Sequence, residues 1–369
     1  MTATDTQASP LSDAIESIRL HLRCPDFPAS LRFYTEVLGL RVAMIMPADD
    51  PELAALDGHG ISLLLERDDA LSAELAPALT LSLSADYSRL PAPPPTELIA
   101  PEGTRIRLLD SAAEAVLPEP KPSLTICRAA EQAWVEGRAG MRYRDLIPGR
   151  WGGRYVASHI RIDSAGPVPD YVHYHHVRFQ MIYCRAGWVR VVYEDQGPPF
   201  VLNAGDCVLQ PPQIRHRVLE SSAELEVIEI GCPAIHATHA DAQLALPNGQ
   251  LNPGRQYSDQ RFVRHRAAQA QWLALDQVVQ MRDTGIATAT NGLATAQVLR
   301  VAGTQAQAQI ELGHSGDFQF IYALEGSGQL VTEDSAMLDL ARDDAVCLPP
   351  DQPYRLIAEP GSQWLQVML

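Results

Sequence analysis

His173, His175, Gln180 and His216 are the residues whose types and spacing could do chemistry. The first two form a His-x-His pair in GPVPDYVHYHHVRFQMIYCRAG (166–187), and Gln180 follows five positions after His175. His216 ends GDCVLQPPQIRH (205–216), after a Gly-x5-Pro turn. Residues two apart in a β-strand face the same side, so His173 and His175 present two imidazoles to one cavity. Gln180 and His216, on neighbouring strands, close the set. Three imidazoles and an amide make a site for one divalent metal ion in the mouth of a small β-barrel. The set is neutral, so an ion held there keeps its full charge of two and invites an anionic, bidentate substrate. Imidazole suits Fe, Ni, Cu, Zn and Mn alike, so the ligands do not name the metal. Gln180 either ligates the ion or stands behind it as a hydrogen-bonding partner.

The surroundings are rich in arginine: Arg154, Arg161, Arg178, Arg190 and Arg215. A planar guanidinium is suited to carboxylates. Arg178 shares the strand parity of Gln180, and Tyr171 that of His173, so both are expected to point into the barrel. Tyr171, as proton donor or clamp, Arg178 and Tyr183 are the candidate catalytic residues. His159 is a further pocket candidate. His176 is expected to point away from the metal, and His236 and His239 to belong to a loop.

Short alternating segments must position these side chains: GRYVASHIRID (153–163), FQMIYC (179–184), WVRVVYED (188–195), CVLQ (207–210) and LEVIEIG (225–231). Their spacing and turn residues predict an all-β barrel or sandwich. The chain then repeats itself. FQMIYCRAGWVRVVYED (179–195) aligns without gaps to FQFIYALEGSGQLVTED (318–334), pairing Phe179 with Phe318, Gln180 with Gln319 and Gly187 with Gly326. A second barrel follows in tandem. There His175 corresponds to His314, but His173 corresponds to Leu312 and His216 to Tyr354, so the second barrel is expected to be metal-free and structural. Between the barrels, QAQWLALDQVVQMR (269–282) reads as a helix in a crossover that lets them pack face to face. The proline-rich runs LPAPPPTELIAPEG (90–103) and LPEPKPS (117–123) mark loops near the first boundary.

The two histidine segments resemble the paired motifs of the cupin superfamily, G-x5-H-x-H-x3,4-E-x6-G and G-x5-P-x-G-x2-H-x3-N. Gly187, Gly205, Pro211 and His216 stand in register. Six residues rather than five separate Gly166 from His173, Gln180 replaces the usual Glu, Gln213 a Gly, and Glu220 an Asn. The resemblance implies a mainly β chain of two tandem cupin (jelly-roll) barrels, a bicupin, with metal in the first barrel only. Such a layout is similar to that of gentisate- and salicylate-type ring-cleaving dioxygenases. It implies an Fe(II) oxygenase acting on a small anionic aromatic or enolic acid, with Zn, Ni or Mn as other candidate ions. The His-x-His…Gln…His set also resembles that of cupins that linearise unsaturated uronates. This implies the alternative of a redox-neutral isomerase or lyase on a sugar acid or keto acid. A non-enzymatic binding scaffold is the third reading.

IRLHLRCPDFPASLRFYTEVLGLRVAMI (18–45) resembles the opening of a vicinal-oxygen-chelate, or glyoxalase-like, module, with Ser30, Phe33, Tyr34, Leu38, Gly39 and Leu40 matching as they stand. APEGTRIRLLD (100–110) resembles its closing strand. The family's first metal His falls near Arg19 rather than His21, and Arg105 and Arg107 stand where a Glu ligand is expected. The resemblance therefore implies a small α+β module, shortened in its second half and degenerate as a metal site. His21 is then a strand histidine and Glu66 a strand-end charge. The expected organisation is 1–115 for this module, 116–240 for the metal-binding barrel, 241–290 for the connection and 291–369 for the second barrel.

Length and composition agree with a multidomain globular chain: 369 residues, 46% hydrophobic and 20% charged. A net charge of -16 argues against a nucleic-acid partner. No apolar run reaches membrane-spanning length and no secretory signal opens the sequence, whose first dozen residues, MTATDTQASPLS, are polar and expected to fray. Six scattered cysteines without a C-x-x-C read as reduced, mostly buried thiols of a cytoplasmic protein. The expected partner is a small anionic molecule. A homodimer accords with the cupin resemblance, though the sequence carries no interface signature.

Overall fold

The computed structural model describes residues 19–47, 51–70, 79–85, 94–110, 117–303 and 307–369. The opening segment expected to fray and residues 90–93 of the first proline-rich run lie outside them. The chain divides into two compact units, 1–114 and 115–369.

In the first unit, Asp26 starts a helix: its side chain accepts a hydrogen bond from Ala29 N at 2.9 Å, and a proline occupies the first turn. The helix Phe27–Arg32 runs into a π-helical turn, Phe33–Val37, which brings Tyr34 into the core. Tyr34 OH donates to Glu102 Oε1 at 2.6 Å and Ser30 Oγ to Oε2 at 2.9 Å, so this buried carboxylate is fully engaged. Strands Leu20–Cys24, Arg41–Met46, Leu53–Gly58 and Ile61–Arg67 form a sheet in the order first, fourth, third, second, with first and fourth parallel. Thr80–Ala85, Glu97–Ile99 and Arg105–Asp110 repeat that connectivity with one strand fewer among the described residues. His21 pairs with Glu66 at 2.9 Å on a half-exposed face.

The second unit holds the tandem repeat. Phe179–Ala186 pairs with Leu225–Cys232, and Gln319–Glu325 pairs with Gln363–Met368, with a register shift at corresponding places, Cys184/Ala186 and Ala323/Glu325. His173 lies opposite His216 in one barrel, and Leu312 opposite Tyr354 in the other, so the predicted equivalences hold in the register. Each barrel contributes a seven-stranded sheet to a shared core: Phe179, Met181, Tyr183 and Ile230 pack with Phe318, Phe320, Leu365 and Val367. The outward, odd-numbered face of Phe179–Ala186 thus builds the contact between barrels, and the even-numbered face looks inward. All six cysteines are free and buried. Burial pushes their thiols up, to about 11 for Cys127 and Cys232.

Two expectations need correction. Residues 269–282 form no helix. Asp276 accepts hydrogen bonds from Val278 N and Val279 N, both at 2.7 Å, and turns the chain between Leu273–Ala274 and Val279–Asp283. Pairing of Val279–Asp283 with Thr295–Val301 outweighs the helical pattern, so these strands belong to the second barrel rather than to a connection. The barrels also exchange edges. Thr125–Cys127, expected in the first barrel, pairs with Ala345–Leu348 of the second, while Val263–His265 pairs with Cys207–Leu209 of the first. A boundary at 240 therefore cuts the first barrel short.

Candidate metal centre

His173 and His175 lie on the short strand His173–His175, and His216 opens His216–Ser221 directly opposite. All three are buried, and one ring nitrogen of each lies within 4.8 Å of the others. A carbonyl only accepts, so His173 Nδ1 donates to Tyr171 O (2.8 Å) and His216 Nδ1 to Ile214 O (2.9 Å). His175 Nδ1 lies 3.1 Å from Thr238 Oγ1. With Nδ1 engaged on each ring, Nε2 is the nitrogen left to face the other two, and the carbonyl partners hold the tautomer of His173 and His216. Asp170 Oδ1 stands 3.6 Å from His173 Nδ1 while its other oxygen accepts Val218 N, tying the carboxylate to the strand behind. These neutral, converging imidazoles fit one divalent transition-metal ion.

A cavity of about 340 Å³ opens in front of the three rings. Its wall is aliphatic: Val156, Ile160, Ile162, Ile182, Val189, Val191, Leu202, Leu225 and Val227. The even-numbered residues of Val156–Ile162 face it, by strand parity. Beside the three histidines, polar side chains of the lining are Tyr143, Arg150, Tyr193, Gln210, Glu229, His236 and Thr238. Tyr193 stacks on His216 (5.4 Å between centroids), and its hydroxyl accepts from Gln210 Nε2 at 3.0 Å. Burial pushes the Tyr193 phenol up, so it stays neutral. Among the described lining residues, Arg150 and Glu229 carry the formal charges.

Gln180 is buried on the inward face, but its amide donates to Glu229 Oε1 at 2.5 Å. Its amide nitrogen thereby orients a cavity carboxylate. Tyr171 is 50% exposed; it meets the site through its carbonyl and the edge of its ring, 5.8 Å from His173. Arg178 precedes its strand, its main chain bonded to Cys232 and Gln260, and it does not line the cavity. Tyr183 packs between the barrels, where burial raises its phenol to about 12. These three are therefore not brought together at the metal. His159 also faces the second barrel, 2.7 Å from Arg144 Nη2 and 3.3 Å from Tyr322 OH, and burial lowers its pKa. Parity explains Tyr183 and His159: odd positions on the strands at 156–162 and 179–186 face outward.

The other expected arginines have partners elsewhere: Arg154 with Asp317, Arg161 with Asp163 and Glu224, Arg190 with Glu220, Arg215 with Asp241. His176 and His239 group with Tyr174, away from the cavity wall, as parity predicted for His176. His236 was expected in a loop without a role, yet it lines the cavity, edge-on to His175 at 5.3 Å, with Nδ1 donating to Pro233 O. Tyr143, Arg150, Tyr193, Gln210, Glu229, His236 and Thr238 are polar cavity residues that the motifs did not indicate. Glu229 had a signal: it faces Ile182 across the sheet and so shares Gln180's side.

No protein-family model matches this sequence, and no curated protein matches it. Among solved structures, the chain is similar to Bacillus subtilis oxalate decarboxylase at pH 4.6, with TM-score 0.50, 10% identity, and 70% of this chain and 78% of that chain covered. An internal-deletion mutant of the same enzyme gives TM-score 0.50, 10% identity, and 70% and 79% coverage. Protein Ylba from E. coli gives TM-score 0.49 and 11% identity, covering 70% of this chain and 94% of that one. At these identities the likeness concerns the fold. The second unit has the fold of a bicupin, mainly β, with the imidazole cluster in the first barrel. No helix among the described residues is long and apolar enough to cross a membrane.

Proposed function

We propose that the first barrel is the metal-dependent active site of an oxygenase for a small anionic acid with an aromatic or enolic body. The observation that carries this reading is the cavity itself: three buried imidazoles at one end of an aliphatic pocket of about 340 Å³. The larger, aliphatic part of that lining suits an aromatic or enolic body better than a polyhydroxylated sugar acid, and oxalate, named in the similar structures, has no apolar body to fill it. A bound divalent ion supplies Lewis acidity at the chelating oxygens of the acid and, as Fe(II), one-electron chemistry with dioxygen. His173, His175 and His216 would hold it. Val156, Ile160 and Val227 exclude water, and Glu229, oriented by Gln180, is placed to accept the proton a hydroxyl sheds on chelation.

Glu229 also favours a second reading, a redox-neutral lyase or isomerase of a keto acid, because that chemistry needs a proton carrier beside the metal. The N-terminal unit, whose parallel first and last strands suit a glyoxalase-like module, is read as a degenerate one. Metal analysis of tag-free protein, with His216→Ala as control, and oxygen uptake with a panel of hydroxy-aromatic acids test the proposal. About one Fe per chain, lost in the variant, together with oxygen uptake, is expected. Zn, Ni or Mn with keto-acid turnover and no oxygen uptake would replace it by the second reading. Metal in neither protein would overturn both and leave a binding scaffold.

A further inference from the structure

The loop GRWGG, 149–153, has five consecutive positive φ angles: 77° at Gly149, 49° at Arg150, 45° at Trp151, 74° at Gly152 and 94° at Gly153. Glycine adopts this region freely; arginine and tryptophan do so only when something holds them. Packing explains Trp151. It is buried, lies 5.6 Å from Phe318, and donates from Nε1 to Thr125 Oγ1 at 3.3 Å. Arg150 has no such reward. Its side chain is partly exposed, and its ion pair among the described residues is a loose one, Nε to Asp145 Oδ2 at 3.5 Å. The strained backbone instead places Arg150 in the cavity lining. Ala234 N donates to Gly153 O at 3.0 Å, fastening the loop to the rim that carries His236.

Charge says what the guanidinium is for. Arg150 is the cation of the described lining, and its anion, Glu229, already accepts from Gln180. An ion on the three imidazoles would make a second positive centre; Asp170, 3.6 Å from His173, and Asp145, 3.5 Å from Arg150, answer the two from outside the lining. A ligand matched to both centres carries two negative charges: one on the oxygens that chelate, and one on a separate carboxylate able to meet a planar fork. We infer that Arg150 is the specificity-determining residue of this site, holding a substrate carboxylate that does not itself chelate the metal. This rests on the chelation reading above and narrows its substrate class to acids that bind as dianions.

The test uses zinc-loaded protein under anaerobic conditions, with catechol and its two ring-carboxylated isomers as probes in calorimetric titrations. Wild type should bind at least one carboxylated probe about ten- to hundredfold more tightly than catechol, the range expected of a charge-assisted pair. Arg150→Gly should erase that preference, keep catechol affinity within about twofold, and leave the melting temperature unchanged or higher, since glycine accepts the φ of 49°. Arg150→Lys, which keeps the charge but not the fork, should recover part of the preference. A preference that survives Arg150→Gly overturns the inference. So does a fall in melting temperature, which would mark Arg150 as a folding residue. Wild type that binds catechol without preferring its acids overturns the Arg150 assignment alone. Wild type that binds none of the probes overturns the chelation reading as well.

Discussion

Gln180→Glu restores the carboxylate usual in the cupin motif, and it separates two roles for this position. In the structure the Gln180 amide donates to Glu229 Oε1 at 2.5 Å. An introduced carboxylate would face another with no donor between them. Even if the two relax to about 4 Å, their repulsion is about 4 kcal/mol at an effective dielectric of 20, suited to a pair of which one member is partly exposed. Divided by 1.36 kcal/mol per unit, this raises the pair's affinity for a shared proton by about three pH units. The folded-state pKa is raised above the unfolded value near 4.3, so the folded state binds more protons in the interval between. Relative to wild type, the variant should be equally stable at pH 4. Stability should then fall through about pH 4.5–7, and the loss should level off near 4 kcal/mol by pH 8. For a unit of this size that is a melting point lower by about 8–16 °C. The assay is thermal unfolding of chelator-treated protein across that range. A difference from wild type that stays flat with pH would refute the reasoning and mean that residue 180 does not face Glu229. Added metal that abolished the whole penalty would assign position 180 to the metal instead.

Other perturbations test the frame around the site. Burial acts to raise the Asp343 carboxyl, but hydrogen bonds from Tyr322 and Arg185, both at 2.7 Å, outweigh it and hold its pKa below the usual range. The stability it contributes is present above the unfolded value near 3.9 and is lost as pH falls through the lower folded value. Asp343→Asn, which leaves the buried Arg185 only the longer pair with Glu226 at 3.9 Å, should cost about 3 kcal/mol in urea unfolding at pH 7, and the gap to wild type should shrink at pH 3; an unchanged gap would refute the pairing. Gly187 has φ 71°, and an added Cβ would lie 2.3 Å from Ser222 Oγ, so Gly187→Ala should cost about 1–3 kcal/mol by the same measurement. Adding Ser222→Gly should restore part of that loss, leaving the share due to φ.

Much of this molecule was legible because β-structure writes its geometry into alternation. The His-x-His pair, the opposition of His173 to His216 and the equivalence of Leu312 and Tyr354 all follow from a period of two and a gapless repeat. Residue type misled where a second barrel covers the outward face. Tyr183 and His159 are polar-capable residues on strands of the metal barrel, yet the shared core claims that face. The exchanged edges at Thr125–Cys127 and Val263–His265 were illegible because pairing partners far apart in sequence leave no local signal. Residues 269–282 read as a helix because apolar spacing was weighed without Asp276, whose turn decides the outcome. Arg150 escaped because it lies on no strand, and a run of left-handed residues has no periodicity to detect.

The apolar filling of the second barrel and the cavity in the first belong to one physical arrangement. A barrel that admits a substrate cannot fill its interior. At about 24 cal/mol per Å³, a dry void of 340 Å³ would cost on the order of 8 kcal/mol, a figure that water entering the open mouth reduces. The second barrel is filled instead. Leu312 occupies the position of His173 and Tyr354 that of His216, and they pack with Leu330, Leu356 and Trp364 in a continuous apolar core. The remaining histidine, His314, donates from Nε2 to Leu348 O at 2.9 Å. Each aliphatic side chain so buried contributes about 1.5–3 kcal/mol, and the shared core of Phe179, Met181, Phe318 and Phe320 couples that stability to the hollow barrel. Substitutions that restored two imidazoles at 312 and 354 would therefore open the support without building a site, because the pocket they need is occupied by Trp364 and its neighbours.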